Sequence, residues 1–228
     1  MSRIVLITDI DTPLGLDLSK TFLEQGDRVV GTFTAPDNES NLKALNSSSF
    51  TIRRWQRSSS LSAKNLLLSI INDFNNLDEA LLLQPPSLPA KLLHEVTTAE
   101  IEQGVDFWIK GNLFLLKEIL DIFNRGRGGV LALINYSPKD STGILPPLES
   151  VLRGSFQALA KSLFSSYSQE HLYINGFESN TAESRDFADF IRQTLRDRGR
   201  RVSGRWFRFQ AKSGLFSPFR IASFNRLT

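Results

Sequence analysis

The chain has 228 residues, 41% hydrophobic and 22% charged, with a net charge of +3, which suits one domain built around a single sizeable core. It has no cysteine and only two histidines, His94 and His171, so disulfides, thiolate metal sites and cysteine nucleophiles are excluded, and no metal site is expected. No apolar run has the length of a bilayer span and the start, MSRIVLITDI, lacks the features of a secretory signal; a cytoplasmic location is the expectation.

In chain order, continuous apolar or β-branched runs occur at Arg3 to Thr8, Arg28 to Phe33, Phe50 to Trp55, Glu79 to Leu83, Gly129 to Asn135, Leu172 to Phe177 and Gly204 to Phe209. Such runs suit strands covered on both faces. Amphipathic segments separate them at Gly15 to Gln25, Ser62 to Asn75, Ile101 to Phe123, Leu148 to Gln169 and Ser184 to Arg196. Alternation of this kind predicts an α/β fold, a doubly wound, mainly parallel seven-stranded sheet flanked by helices on both faces, with residues 1–228 as one domain. Gly26, Gly128 and Gly129 stand where helices should stop. Asp37 to Ser49 and Pro85 to Pro89 read as loops.

Charge is uneven along the chain. Residues 192–228 carry ten Lys/Arg against one acid, Asp197, while the first 191 carry 17 against 23. Trp206, Phe207, Phe209, Phe216 and Phe219 interleave with the basic residues. A last strand with solvated arginines accounts for this; contact with an anionic partner is the alternative, and nucleic acid ranks last because no nucleic-acid motif accompanies it.

RIVLITDIDTPLGLDLSKTFLEQGDRVVGTF, then LLLQPPS, FWIKGNLFLLKEIL, GGVLALINYS, ESVLRGSFQALAKSL, YINGF and VSGRWFRF follow the order and spacing of the short-chain dehydrogenase/reductase family. Over nearly its whole length the chain resembles that family, as a degenerate member similar to 3-oxoacyl-ACP-reductase-like proteins. The resemblance implies a Rossmann-type fold, a nicotinamide cofactor bound on the turn after the first strand, and catalysis by an Asn, Ser, Tyr and Lys set.

The residues present depart from that pattern. Where the family has TGxxxGxG, the turn reads Thr8-Asp9-Ile10-Asp11-Thr12-Pro13-Leu14-Gly15. Only Gly15, the glycine that permits close helix–strand packing, remains. Asp9 sets a carboxylate where phosphate should lie and Pro13 removes a donor. Independently of any ligand, Asp11 or Thr12 reads as a helix cap with Pro13 at the first helical position. Gly31 to Thr34 supplies no acid for a ribose, and Trp55-Gln56 replaces the aspartate expected near adenine. Arg53, Arg54 and Arg57 read as a solvated charged edge, with phosphate attraction as the rival.

The implied tyrosine and lysine positions hold Glu149 and Arg153, a pair at i,i+4 that reads as a salt bridge. The serine position falls on Asn135, with Ser137 as the alternative; the relay asparagine position falls on Trp108, with Asn112 as the alternative. Tyr136 and Lys139 have the wrong spacing to serve instead. The family's substrate lid is missing near 178–186, where GFESNTAESRDF has no room for one.

No cofactor is therefore expected, with NAD(P) held only if the altered turn still binds it. The leading expectation is a catalytically inactive relative that acts by binding, as a subunit of a homo-oligomer or beside an intact relative, through helices 101–123 and 148–169. Those segments carry Phe107, Leu113, Leu116, Leu120, Val151, Phe156, Leu159 and Leu163, more apolar surface than one sheet-facing stripe needs, although an entirely internal role is open too. The second expectation is an enzyme of altered chemistry using Glu149 as acid or base. The third is an anionic-partner contact through 192–228.

Overall fold

Alternate residues of the central strands serve two different cores, which is why those runs are apolar. The computed structural model describes residues 2–33, 47–85, 88–138, 145–168, 171–196 and 202–210. The strands are β1 (Ile4–Ile7), β2 (Arg28–Phe33), β3 (Phe50–Arg54), β4 (Glu79–Leu83), β5 (Gly129–Tyr136), β6 (Leu172–Ser179) and β7 (Arg205–Phe209). They form one sheet of order β3-β2-β1-β4-β5-β6-β7, and every neighbouring pair is parallel. This Rossmann-like α/β architecture in a single domain agrees with the sequence expectation.

On one face, Leu6, Val30, Leu82 and Leu133 pack beneath helices α2 (Ser60–Phe74), α4 (Gly111–Arg125) and α5 (Pro147–Ser166). On the other, Val5, Val29, Leu81 and Ala132 pack beneath α1 (Pro13–Leu23) and α6 (Ser184–Thr194). The period of two in each strand produces this division.

Local chemistry sets the helix ends. Thr12, not Asp11, caps α1 by accepting from Gly15 N–H at 3.1 Å, with Pro13 opening the helix. Ser59 caps α2, which ends on Asn75 in the left-handed region at φ 58°.

The helix expected over Ile101 to Phe123 runs without interruption but contains a π-helical turn. Helix α3 (Thr98–Gly104) starts with a capping box between Thr97 and Glu100, a π-helical turn spans Val105–Lys110, and α4 follows. A π turn widens the backbone, so the amide of Gly111 reaches Asp106 O and carbonyl oxygens of the turn become available to side chains.

Sequence expectations at Thr34, Asp37 to Asn46, Pro86, Ser87, Lys139, Gln169, Asp197, Phe216 and Phe219 lie outside the described residues, as do 198–201 and most of the basic tail. Among the described part of that tail, Arg208 pairs with Glu178 at 2.5 Å, and Trp206 packs on the first core while Phe207 and Phe209 pack on the second. No described helix is long and apolar enough to cross a membrane.

Candidate functional site

The strand order reverses between β1 and β4, because the chain winds outward from β1 to β3 and then returns to the other side of β1. In open parallel sheets, the crevice outside the carboxyl ends of the strands at this point is where ligands bind. Strand parity places Thr8, Thr32, Gln84 and Asn135 on the α2–α4–α5 side at that edge, where Trp55 joins the same core. What gathers there is a buried polar belt with two arginines in it.

The first arginine is Arg57, 1% exposed. Its Nη2 donates to Asp9 Oδ2, and its Nη1 donates to Asn112 Oδ1 at 3.2 Å and Phe107 O at 3.4 Å. The guanidinium carbon lies 4.3 Å from the Trp55 ring centroid, a cation–π stack. A Cβ on Gly111 would come 2.8 Å from Arg57 Cβ, so the glycine of the FWIKGNL segment lets α4 approach this side chain. The expectation of a solvated edge holds for Arg53, which pairs at the surface with Asp73, and is corrected for Arg57. A buried carboxylate at Asp9 needs a cation, and the end of β3 supplies it.

Asp9 adopts φ 53°, a conformation that favours glycine. Its carbonyl accepts from Thr12 Oγ1 at 2.7 Å and Thr12 N–H at 3.0 Å, closing the turn. Gly15 is required because a Cβ there would be driven into the carbonyl oxygen of Asp9. Burial pushes the Asp9 carboxyl above its ordinary 3.8, while Arg57 and the Thr8 hydroxyl pull it down. Thr8 also accepts from Leu83 N–H at 2.9 Å, tying β1 to β4.

The second arginine is Arg153. Its Nε and Nη2 lie 2.7 and 2.6 Å from Glu149 Oε1, the i,i+4 bridge the spacing predicts. Its Nη1 reaches Ser137 Oγ and lies 3.4 Å from both Asn135 Oδ1 and Gln84 Oε1. Asn135 and Ser137, alternatives in sequence, thus face the same guanidinium.

Trp108 and Asn112, the other pair of alternatives, also converge. Arg153 stacks 5.7 Å from the Trp108 ring centroid, and Asn112 donates to Trp108 O at 2.7 Å while accepting from Arg57. The π turn joins the two arginine clusters. Tyr136 belongs elsewhere: it donates to Ala182 O at 3.1 Å and stacks on Phe187. Burial raises its phenol above the ordinary 10. Between β6 and α6 only Asn180–Glu183 intervene.

Sequence reading missed three contributors: Arg57 as a buried partner, Gln84, and the joint role of Asn112 and Trp108. Asp9 was the available signal for Arg57, since a carboxylate on a buried turn implies a cation nearby. The belt also holds polar atoms without a partner: Thr32 Oγ1, Trp55 Nε1, Arg57 Nε and Gln84 Nε2. Among the described residues no group of acids and histidines is placed to hold a metal ion.

No family model matches this chain, and no curated protein matches it. Among solved structures it is similar to ElxO with NADP bound, at a TM-score of 0.79 and 17% identity over 91% of this chain and 97% of that one. It is also similar to a point-substituted ElxO with NADPH bound, at a TM-score of 0.76 with the same identity and coverage. At that identity the likeness is one of fold.

Proposed function

We propose that this protein is a catalytically degenerate member of the short-chain dehydrogenase/reductase class that acts by binding, as a subunit of a homo-oligomer or beside an intact relative, and takes no nicotinamide cofactor. The observation that carries the reading is the pair of arginine–carboxylate bridges along the carboxyl edge. Asp9 and Arg57 neutralise one another on the turn where a dinucleotide's pyrophosphate would lie. That phosphate group does not fit the turn: Pro13 has no N–H, the Gly15 amide is taken by Thr12, and the Asp9 carboxylate repels a second anion.

Glu149 and Arg153 are committed to one another where a tyrosine and lysine are implied by the resemblance. An arginine cannot release its proton, and a buried carboxylate held by it has no open route to a substrate. Glu149 as a working acid or base therefore loses ground. Kinship with 3-oxoacyl-ACP-reductase-like proteins and a cytoplasmic setting remain parts of the reading that rest on sequence.

The outer faces of α4 and α5 support assembly. Leu116, Leu120, Phe156 and Leu163 are consumed by the core, whereas Leu113 and Val151 are 45% and 65% exposed. Apolar side chains presented outward suit an interface.

Calorimetric titration of the intact protein with NADH and NADPH at low salt tests the cofactor part. The expected result is no binding up to about millimolar, a ΔG° no stronger than about −4 kcal/mol. Micromolar binding overturns it. Light scattering tests the assembly part: a dimer or larger species that Val151→Glu dissociates supports it, and a monomer at every concentration, alone and with an intact relative, removes it.

A further inference from the structure

We propose that Arg57 is the host of an oxyanion site that the chain fills from within, with the Asp9 carboxylate as its resident ligand, so that removing this carboxylate yields a site for phosphate or pyrophosphate. The inference rests on the closed cofactor turn proposed above and goes beyond it. The turn has not simply lost an anion site; it has acquired one with an internal occupant.

Four observations make this a built site. The guanidinium is buried and held on three sides, by Asn112 Oδ1, by Phe107 O and by the Trp55 ring. It sits at the β1–α1 turn of the switch point, the place in such sheets where anions are received. Further donors stand beside it with no acceptor, since Arg57 Nε and Trp55 Nε1 are buried and unpartnered. The resident carboxylate leaves two of these donors unused, whereas a tetrahedral oxyanion directs its oxygens along more directions.

Asp9 also holds its place in a left-handed conformation at φ 53°. Glycine adopts that conformation freely, so Asp9→Gly removes the carboxylate without asking the backbone to move. Such a variant keeps Arg57, its supports and the orphan donors.

The experiment is calorimetric titration of wild type, Asp9→Gly and Asp9→Gly/Arg57→Met with inorganic pyrophosphate, and separately phosphate, in chloride buffer of constant ionic strength. Pyrophosphate should bind Asp9→Gly at least about a hundredfold more tightly than wild type, because a like charge at contact distance in a poorly hydrated place is gone. The double variant should lose that gain. A folded Asp9→Gly that binds no better than wild type overturns the proposal, as does binding that survives Arg57→Met.

If Asp9→Gly is unfolded in chloride, refolding on addition of pyrophosphate, followed by circular dichroism, supports the site; failure of both anions to refold it overturns it. The two readings fail separately. Dinucleotide binding by wild type defeats the proposed function, whereas an inert Asp9→Gly beside a wild type that ignores NADPH defeats only the internal ligand.

Discussion

The two ends of the parallel sheet both carry buried arginines, and they use them differently. At the amino edge Arg3 pairs with Glu79 and lies 3.9 Å from Asp27, which also holds Arg196 at 2.5 Å. Acids there also accept from the first amides of the sheet: Ile4 N–H donates to Asp78 Oδ2 at 2.8 Å and Arg3 N–H to Asp27 Oδ1 at 3.4 Å. At the carboxyl edge Arg57 and Arg153 pair with Asp9 and Glu149 but in addition reach a backbone carbonyl, carboxamides and a hydroxyl, and Arg57 leaves its Nε over. Strand starts offer free N–H groups and attract acids. A belt built on arginines and amides is richer in donors than in acceptors, which makes the carboxyl edge the end suited to a ligand.

The largest effect is expected from breaking the carboxyl-edge pair. Arg57→Met leaves Asp9 buried without its cation and should cost about 3–5 kcal/mol in urea unfolding. Asp9→Asn combined with Arg57→Met should recover most of that loss in a double-variant cycle, and additive losses would mean that the two side chains are not energetically coupled. At the amino edge, Arg196→Met should cost less, about 2 kcal/mol, because Arg196 is partly exposed and Asp27 keeps Arg3. Equal losses at the two edges would remove the distinction in energy between them.

Smaller effects sharpen the boundary of the belt. Tyr136→Phe, outside it, removes the bond to Ala182 O and should cost about 0.5–1.5 kcal/mol. Because the folded phenol titrates above the ordinary 10, its contribution is complete below that pH and is lost as pH rises through the folded value. Absorbance at 295 nm should show one tyrosine ionising late in wild type and none such in Tyr136→Phe. Glu100, at the start of α3, is lowered to about 2 by Lys91 and the Thr97 capping bonds. Its depressed carboxyl contributes above the ordinary 4.5 and loses that contribution as pH falls towards 2. An NMR titration in which Glu100 behaves as a free glutamate would deny the capping box.

Much of the site's chemistry was legible one residue at a time. Glu149 and Arg153 announce their bridge by spacing, and Thr12-Pro13 announces a helix start. What the sequence could not resolve was each choice between two residues, Asn135 or Ser137 and Trp108 or Asn112. Strand β5 and the π turn bring Asn135, Ser137 and Trp108 to Arg153, and the start of α4 brings Asn112 to Arg57. The π turn within the expected long helix was equally hidden, since such a turn depends on which side chains reach its carbonyls rather than on the period of its apolar residues.

By itself the sequence determined the parallel sheet, through strands apolar on both faces, and most helix boundaries, through caps and glycines whose effects act within a few residues. Only the tertiary structure decided that Arg57 belongs to Asp9, 48 positions away. A buried charge specifies that it must have a partner, not which one, and the partner is fixed by the strand order that sets the ends of β1 and β3 around one crevice.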